Sequence, residues 1–88
     1  MAKYKLSFKP SVWKDLSPIP KVDVRRILKK IDLLGEEPQP PGSKKLSGQD
    51  RYRVRQGDYR IIYSIEDERL VVIVVKVGHR RQVYDRKV

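Results

Sequence analysis

The sequence predicts an α+β domain: a mainly antiparallel sheet of about four strands, two N-terminal helices packed on one face and a short C-terminal helix. Three observations predict it. From Arg51 to Val77 the chain is rich in Tyr, Ile and Val, and two polar breaks, Gln56-Gly57-Asp58 and Asp67-Glu68, divide it as a three-strand meander would be divided. Upstream, Val24, Ile27, Leu28, Ile31 and Leu34 recur at helical spacing. At the start, Tyr4-Lys5-Leu6-Ser7-Phe8 alternates apolar with polar, the pattern of a half-buried strand.

Each element follows from local chemistry. Tyr4, Leu6 and Phe8 are expected to face the core from the first strand. Pro10 suits the first turn of a helix, where its missing N–H costs nothing; Val12, Trp13 and Leu16 form the apolar side, and Trp13 is read as a packing residue. Ser17-Pro18-Ile19-Pro20 ends that helix and starts the next. In the second helix Lys21, Arg25, Arg26, Lys29, Lys30 and Asp32 lie opposite the apolar stripe. Asp23 suits its positive end, and Gly35 the position just past its C-terminus. The segment from Glu36 to Ser43 holds Pro38, Pro40, Pro41 and Gly42, so it reads as an irregular connection to the meander.

Alternation assigns the meander its faces. Tyr52 and Val54 point one way, Arg51, Arg53 and Arg55 the other. Tyr59, Ile61, Tyr63 and Ile65 share a face, and Arg60, Ile62, Ser64 and Glu66 the opposite one. The last run is apolar on both faces and is expected to be central, with Val71, Ile73, Val75 and Val77 in one row and Leu70, Val72, Val74 and Lys76 in the other. The helices are expected on the Tyr59/Ile61/Tyr63 side. Val24, Ile27, Leu28 and Ile31 would be buried there with Leu6, Phe8, Val54, Ile73 and Val75. Arginines would then line the other face, over a floor of Ile62, Val72 and Val74. Gly78 is expected to end the last strand, with a short helix after it.

Basic residues on an outer sheet face are commonly no more than solubilising. Here the sign is one-sided: between Arg51 and Arg60 the only acid is Asp58, in a turn. Lys and Arg number 21 against 11 acids, a net +10, which draws the chain to polyanions such as nucleic acid. The 88 residues make one domain, spanning 1–88. With no cysteine and one histidine, neither a disulfide framework nor a thiolate metal site is available, and no metal or cofactor is expected. No apolar run approaches the roughly 20 residues that span a bilayer, and Met1-Ala2-Lys3-Tyr4-Lys5 lacks the apolar core of a signal peptide. A cytoplasmic protein with no membrane partner is expected.

Lys45-Leu46-Ser47-Gly48, Tyr52-Arg53-Val54-Arg55, Gly57-Asp58-Tyr59-Arg60-Ile61-Ile62-Tyr63, Val77-Gly78-His79-Arg80 and Val83-Tyr84 follow one another in an order that resembles the RelE family of prokaryotic toxins, within the wider RelE/ParE group. The resemblance implies a toxin of a type II toxin–antitoxin system. It further implies an endoribonuclease that cleaves messenger RNA in the ribosomal A site and is held inactive by a cognate RelB-like antitoxin. By matching motif it implies an active face of Arg53, Arg55, Arg60, Arg80 and Tyr84. Catalytic roles are expected for Arg55, Arg60, Arg80 and Tyr84, and RNA contacts from Arg53 and from the basic neighbours Arg51, Lys45, His79 and Arg81. Arg60 and Arg80 would bind the reacting phosphate, whose oxygens suit a planar guanidinium. Tyr84 would stack on a base or move a proton. Where close family members often carry Lys, this chain has Arg53 and Arg55, and Arg does not serve as a base. The proton acceptor is therefore open, with His79 the only side chain that ordinarily titrates near neutrality. Two alternatives stand beside this reading: a ParE-like toxin acting on DNA gyrase, and a non-catalytic basic module that binds RNA or the ribosome.

Overall fold

The computed structural model describes residues 3–46 and 50–79. Its elements are β1 (Lys5–Phe8), α1 (Ser11–Leu16), α2 (Lys21–Leu34), β2 (Lys44–Lys45), β3 (Tyr52–Gln56), β4 (Tyr59–Glu66) and β5 (Val71–His79). The strands form one five-stranded sheet in the order β1-β5-β4-β3-β2. The meander β3-β4-β5 is antiparallel, and β1 joins β5 in parallel. The expected sheet thus gains one short strand, β2, antiparallel to β3. As its apolar rows suggested, β5 is flanked on both sides.

The core lies between the sheet and the helices. Val12 and Leu16 of α1 and Ile27, Ile31 and Leu34 of α2 are buried against Val54, Ile61, Tyr63, Val72, Val74 and Val77. Leu28 is not among them: it is 37% exposed. At 100° per residue it lies about 80° from the centre of the stripe formed by Val24, Ile27, Ile31 and Leu34, and a helix resting on one sheet buries only the middle of its stripe. Trp13 is 54% exposed. Its ring stacks on that of Phe8 at 5.1 Å.

A β-bulge changes the expected rows of β5. Tyr63 pairs with Val74 but Ile62 with Lys76, so Val75 is an extra residue on β5. Val72, Val74 and Val77 therefore all reach the core, while Ile73 and Val75 are only half-buried. The expected floor residues Val72 and Val74 belong to the helix side, and the expected core residues Ile73 and Val75 do not.

The bulge falls where β1 runs out. Phe8, the last residue of β1, pairs with Val74, and beyond it α1 takes over the edge of β5. The Val77 N–H, past the reach of β1, donates to Asp15 Oδ2 at 3.1 Å, and Lys76 Nζ lies 3.8 Å from Asp15 Oδ1. One carboxylate on a short helix thus satisfies an edge donor that the sheet leaves behind.

The turns show where local reading succeeds. Gln56 pairs with Tyr59 across a two-residue loop in which Gly57 takes φ 61°, a conformation glycine adopts without strain. The β4–β5 turn is longer than expected: Leu70 lies in it at φ 54°, 40% exposed, and is not part of the strand. Gly35 caps α2 with φ −66°, so it is not the left-handed C′ glycine expected. Its missing side chain matters for another reason. A Cβ there would come within 3.0 Å of the Tyr4 carbonyl oxygen, and the Gly35 carbonyl accepts the Tyr4 N–H at 2.7 Å. Glycine lets the chain entering β1 lie against the end of α2.

Candidate functional site

The sheet face away from the helices gathers the arginines. Arg53 and Arg55 are two apart on β3, so both point to the side opposite Val54. Arg55 is directly paired with Arg60 of β4, and Arg60 with Gly78 of β5. The next row across the sheet reads Lys44, Arg53, Ile62, Lys76. Two cationic rows therefore lie side by side. Beneath them Ile62 and Leu46 form a small separate apolar cluster, both buried: of the expected floor Ile62 alone stays on this face, and Leu46, not expected there, joins it.

Arg53 is the unusual member. It is only 3% exposed, although arginine is rarely buried. Burial, and then the like charges of Arg55 and Arg60, pull its guanidinium below the usual arginine range. Arg53 is two residues from Arg55 on one strand face, and Arg55 pairs directly with Arg60, so all three lie within electrostatic reach of one another. Arg55 is exposed and Arg60 half-buried, so the cluster runs from a buried cation to one at the surface. Such a set of fixed like charges is preorganised for an anion, because bringing the anion in relieves repulsion already built into the fold.

The other expected site residues are distributed as follows. Arg51 is exposed just before β3, its carbonyl accepting the Leu46 N–H at 2.8 Å. Lys45 pairs with Tyr52 and so has the helix-side register, whereas its neighbour Lys44, opposite Arg53, has the arginine-side register. The row of Arg53 thus holds Lys44, while the expected Lys45 stands in the neighbouring register. The signal that could have found Lys44 is Leu46: two residues on, it shares the face of Lys44 and packs with Ile62. His79 is the last residue of β5 and not a loop residue; it pairs with Tyr59 and meets its ring edge-on at 5.7 Å. That sets it in register with the helix side, one residue from the Gly78 that faces Arg60. Arg80, Arg81 and Tyr84, and the short C-terminal helix expected after Gly78, lie outside the described residues.

The far side of the sheet holds these strands in place. Tyr63 is fully buried, stacks on Tyr52 at 5.8 Å and donates its hydroxyl to the Pro38 carbonyl at 2.6 Å. Burial pushes its phenol up to about 12. The irregular connection is thereby tied under β3 and β4. At the other end the Tyr4 hydroxyl donates to Asp67 Oδ1 at 2.5 Å, joining the chain before β1 to the β4–β5 turn.

Comparison with known proteins adds to this geometry. A family model described as the ParE toxin of the type II toxin–antitoxin system, parDE, matches residues 6–84. Among solved structures, the chain is similar to the archaeal RelE of the RelE–RelB complex from Pyrococcus horikoshii, with 36% identity, 94% of this chain and 100% of that chain covered, and a TM-score of 0.80. It is similar to a chain of the toxin–antitoxin complex RelBE2 from Mycobacterium tuberculosis, with 28% identity, 91% and 94% covered, and a TM-score of 0.82. A chain of the intact RelBE complex of Escherichia coli is 27% identical over 86% of this chain and 95% of that one, with a TM-score of 0.75.

Proposed function

The chain belongs to the ParE toxin family of type II toxin–antitoxin systems and is RelE-like within it, and from that membership we propose that it is an endoribonuclease that cleaves messenger RNA in the ribosomal A site. The observation that carries the reading is the cluster of Arg53, Arg55 and Arg60, with a buried guanidinium at its base. A site for solubility alone has no reason to bury a charge.

In the proposed reaction the ribose 2′ oxygen loses its proton and attacks the adjacent 3′ phosphorus. The bond from phosphorus to the 5′ oxygen of the next nucleotide breaks. That oxygen takes up a proton, and a 2′,3′-cyclic phosphate remains. Negative charge grows on the phosphate oxygens as the attack proceeds. Arg60, Arg55 and, by motif, Arg80 meet that charge with planar donors. Arg53 and Arg51 hold flanking backbone. His79 faces Tyr59 and not Arg60, so the proton acceptor is sought elsewhere, in Tyr84 or in a group of the ribosome. Catalysis then rests on positioning and charge more than on a tuned base.

A RelB-like antitoxin is the proposed partner, by analogy with the Pyrococcus horikoshii and Escherichia coli relatives, which are seen as toxin–antitoxin complexes. An acidic, partly apolar segment of it would cover the arginine face and pack on Leu46 and Ile62.

Incubation with translating ribosomes, followed by mapping of new 5′ ends, tests the reading. Arg60→Ala should lower single-turnover cleavage by about 10²-fold, the size of losing one preorganised donor, while ribosome binding changes little. Cleavage by Arg60→Ala at the parental rate would overturn the site. The family model carries the ParE name, so action on DNA gyrase is the second reading. Its signature is DNA breaks in a gyrase assay with messenger RNA left intact. Ribosome binding with neither product would leave a non-catalytic module.

A further inference from the structure

Beside the arginine face, and sharing Arg53 and Arg55 with it, lies a recess whose two lysines the reaction above does not use. It measures about 270 Å³ and is lined by Lys30, Pro41, Gly42, Lys44, Arg53, Val54 and Arg55. Its origin is topological. β2 is two residues long and pairs only with Tyr52 and Arg53. Past Arg53, therefore, the outer edge of β3 faces a gap, walled by Lys30 of α2 on one side and by the Pro41–Gly42 corner on the other.

The described wall holds four cations and no acid. One of the four, Arg53, is nine-tenths buried and belongs also to the arginine cluster. Gly42 stands at φ 92° with nothing near the place where a Cβ would be, so its backbone leaves the mouth unobstructed. A second recess of similar size, at the β3–β4 hairpin, has a different character: Asp23 and Asp58 share its wall with Arg26 and His79. One-sided charge thus distinguishes the Lys30 recess from the hairpin one, and like charges held together around an empty volume favour a polyanion.

Spacing gives the ligand its form. Arg53 and Arg55 are about 6.6 Å apart along the strand, at roughly 3.3 Å per residue, a separation an extended nucleic-acid backbone spans in about one nucleotide step. We propose that the Lys30–Lys44 recess binds a second backbone phosphate of the same RNA strand, and that this is the flanking phosphate Arg53 holds, next to the reacting one. The inference rests on the RNA-cleaving reading and extends it: the strand leaves the arginine face over the edge of β3 and does not continue along the sheet. Lys30 and Lys44 are binding residues in this scheme. They fix where the strand lies, and they do not touch the reacting atoms.

The test uses a short 2′-O-methyl RNA, which cannot be cleaved because the attacking hydroxyl is blocked. Its affinity is measured against salt for the full chain and for the Lys30→Gln/Lys44→Gln double variant. Losing one phosphate contact should make the slope of log K against log salt shallower by about 0.7. In parallel, inorganic phosphate should shift the Gly42 amide resonance of the parental chain and not that of the double variant. An unchanged slope in the double variant, with the parental slope intact, would overturn the recess and leave the cleavage reading standing. A parental slope near zero would sink the RNA reading itself, and the strand path with it. If an acidic peptide shifted Gly42 where phosphate and RNA did not, the recess would be a protein contact and the proposal wrong.

Discussion

Arg53 and Tyr63 are buried polar side chains on opposite faces of the sheet, and burial acts on them in opposite senses. Removing water disfavours the charged form of each. For Arg53 this weakens the hold on a proton that arginine nevertheless keeps; for Tyr63 it strengthens that hold. The Tyr63 hydroxyl donates to the Pro38 carbonyl, a bond a phenolate could not make. Its folded value of about 12 lies above the usual 10.0. The stability it contributes is therefore fully present below pH 10 and is lost as pH rises from about 10 to 12. At about 1.4 kcal/mol per unit, the loss should reach roughly 2–3 kcal/mol. Denaturant unfolding across that range checks it. Tyr63→Phe should be less stable at neutral pH and should flatten the alkaline decline; a decline of the same steepness in Tyr63→Phe would assign it to other groups.

At the scale of elements, the structure separates neighbours that look equivalent in the sequence. Ile27 and Leu28 both fit the helical stripe, yet Ile27 is fully buried and Leu28 is 37% exposed. Ile27→Ala should cost about 2–5 kcal/mol, as truncation of a close-packed core residue does. Leu28→Ala should cost well under half of that, nearer a surface change. Equal losses would mean that α2 is rolled from the position described. The bulged strand offers a second test. Asp15→Ala leaves the Val77 N–H without its acceptor, which should cost about 1–3 kcal/mol, and the Val77 amide should exchange with solvent faster. Asp15→Asn, which keeps an acceptor oxygen, should restore most of the protection. Exchange at Val77 that is indifferent to both variants would remove Asp15 as the clasp of β5.

Over the whole molecule, charge and fold act on different quantities. The net +10 raises encounter rates with any polyanion, but orientation comes from where the sheet gathers its cations. If Arg53, Arg55, Arg60, Arg80 and one lysine neighbour each meet a phosphate, log K for single-stranded RNA should fall with log salt at a slope of roughly −3.5, from about −0.7 per contact. Titration at several salt concentrations measures it. A slope near zero would show that the charge is only solubilising.

What the sequence by itself determined was the kind and order of the described elements, β2 excepted, and the common face of Arg53, Arg55 and Arg60. Both are local matters. A period of two or of about 3.6 is written in neighbouring residues, and the Gly57-Asp58 hairpin holds β3 to β4 in one register. The family resemblance was legible for a related reason, since its motifs sit on those same strands. What only the tertiary structure decided depends on partners distant in the chain. Val77 enters the core because β5 gains a residue at Val75 where β1 stops. Lys44, and not Lys45, stands opposite Arg53 because a two-residue strand takes its register from β3 and has no alternation of its own. Gly35 is needed because Tyr4 lies against it, 31 positions earlier in the sequence. The Lys30 recess exists because β2 is too short to cover the edge of β3. In each case the deciding contact joins segments that no window of the sequence contains together, so pattern could name the residues but not their side of the sheet.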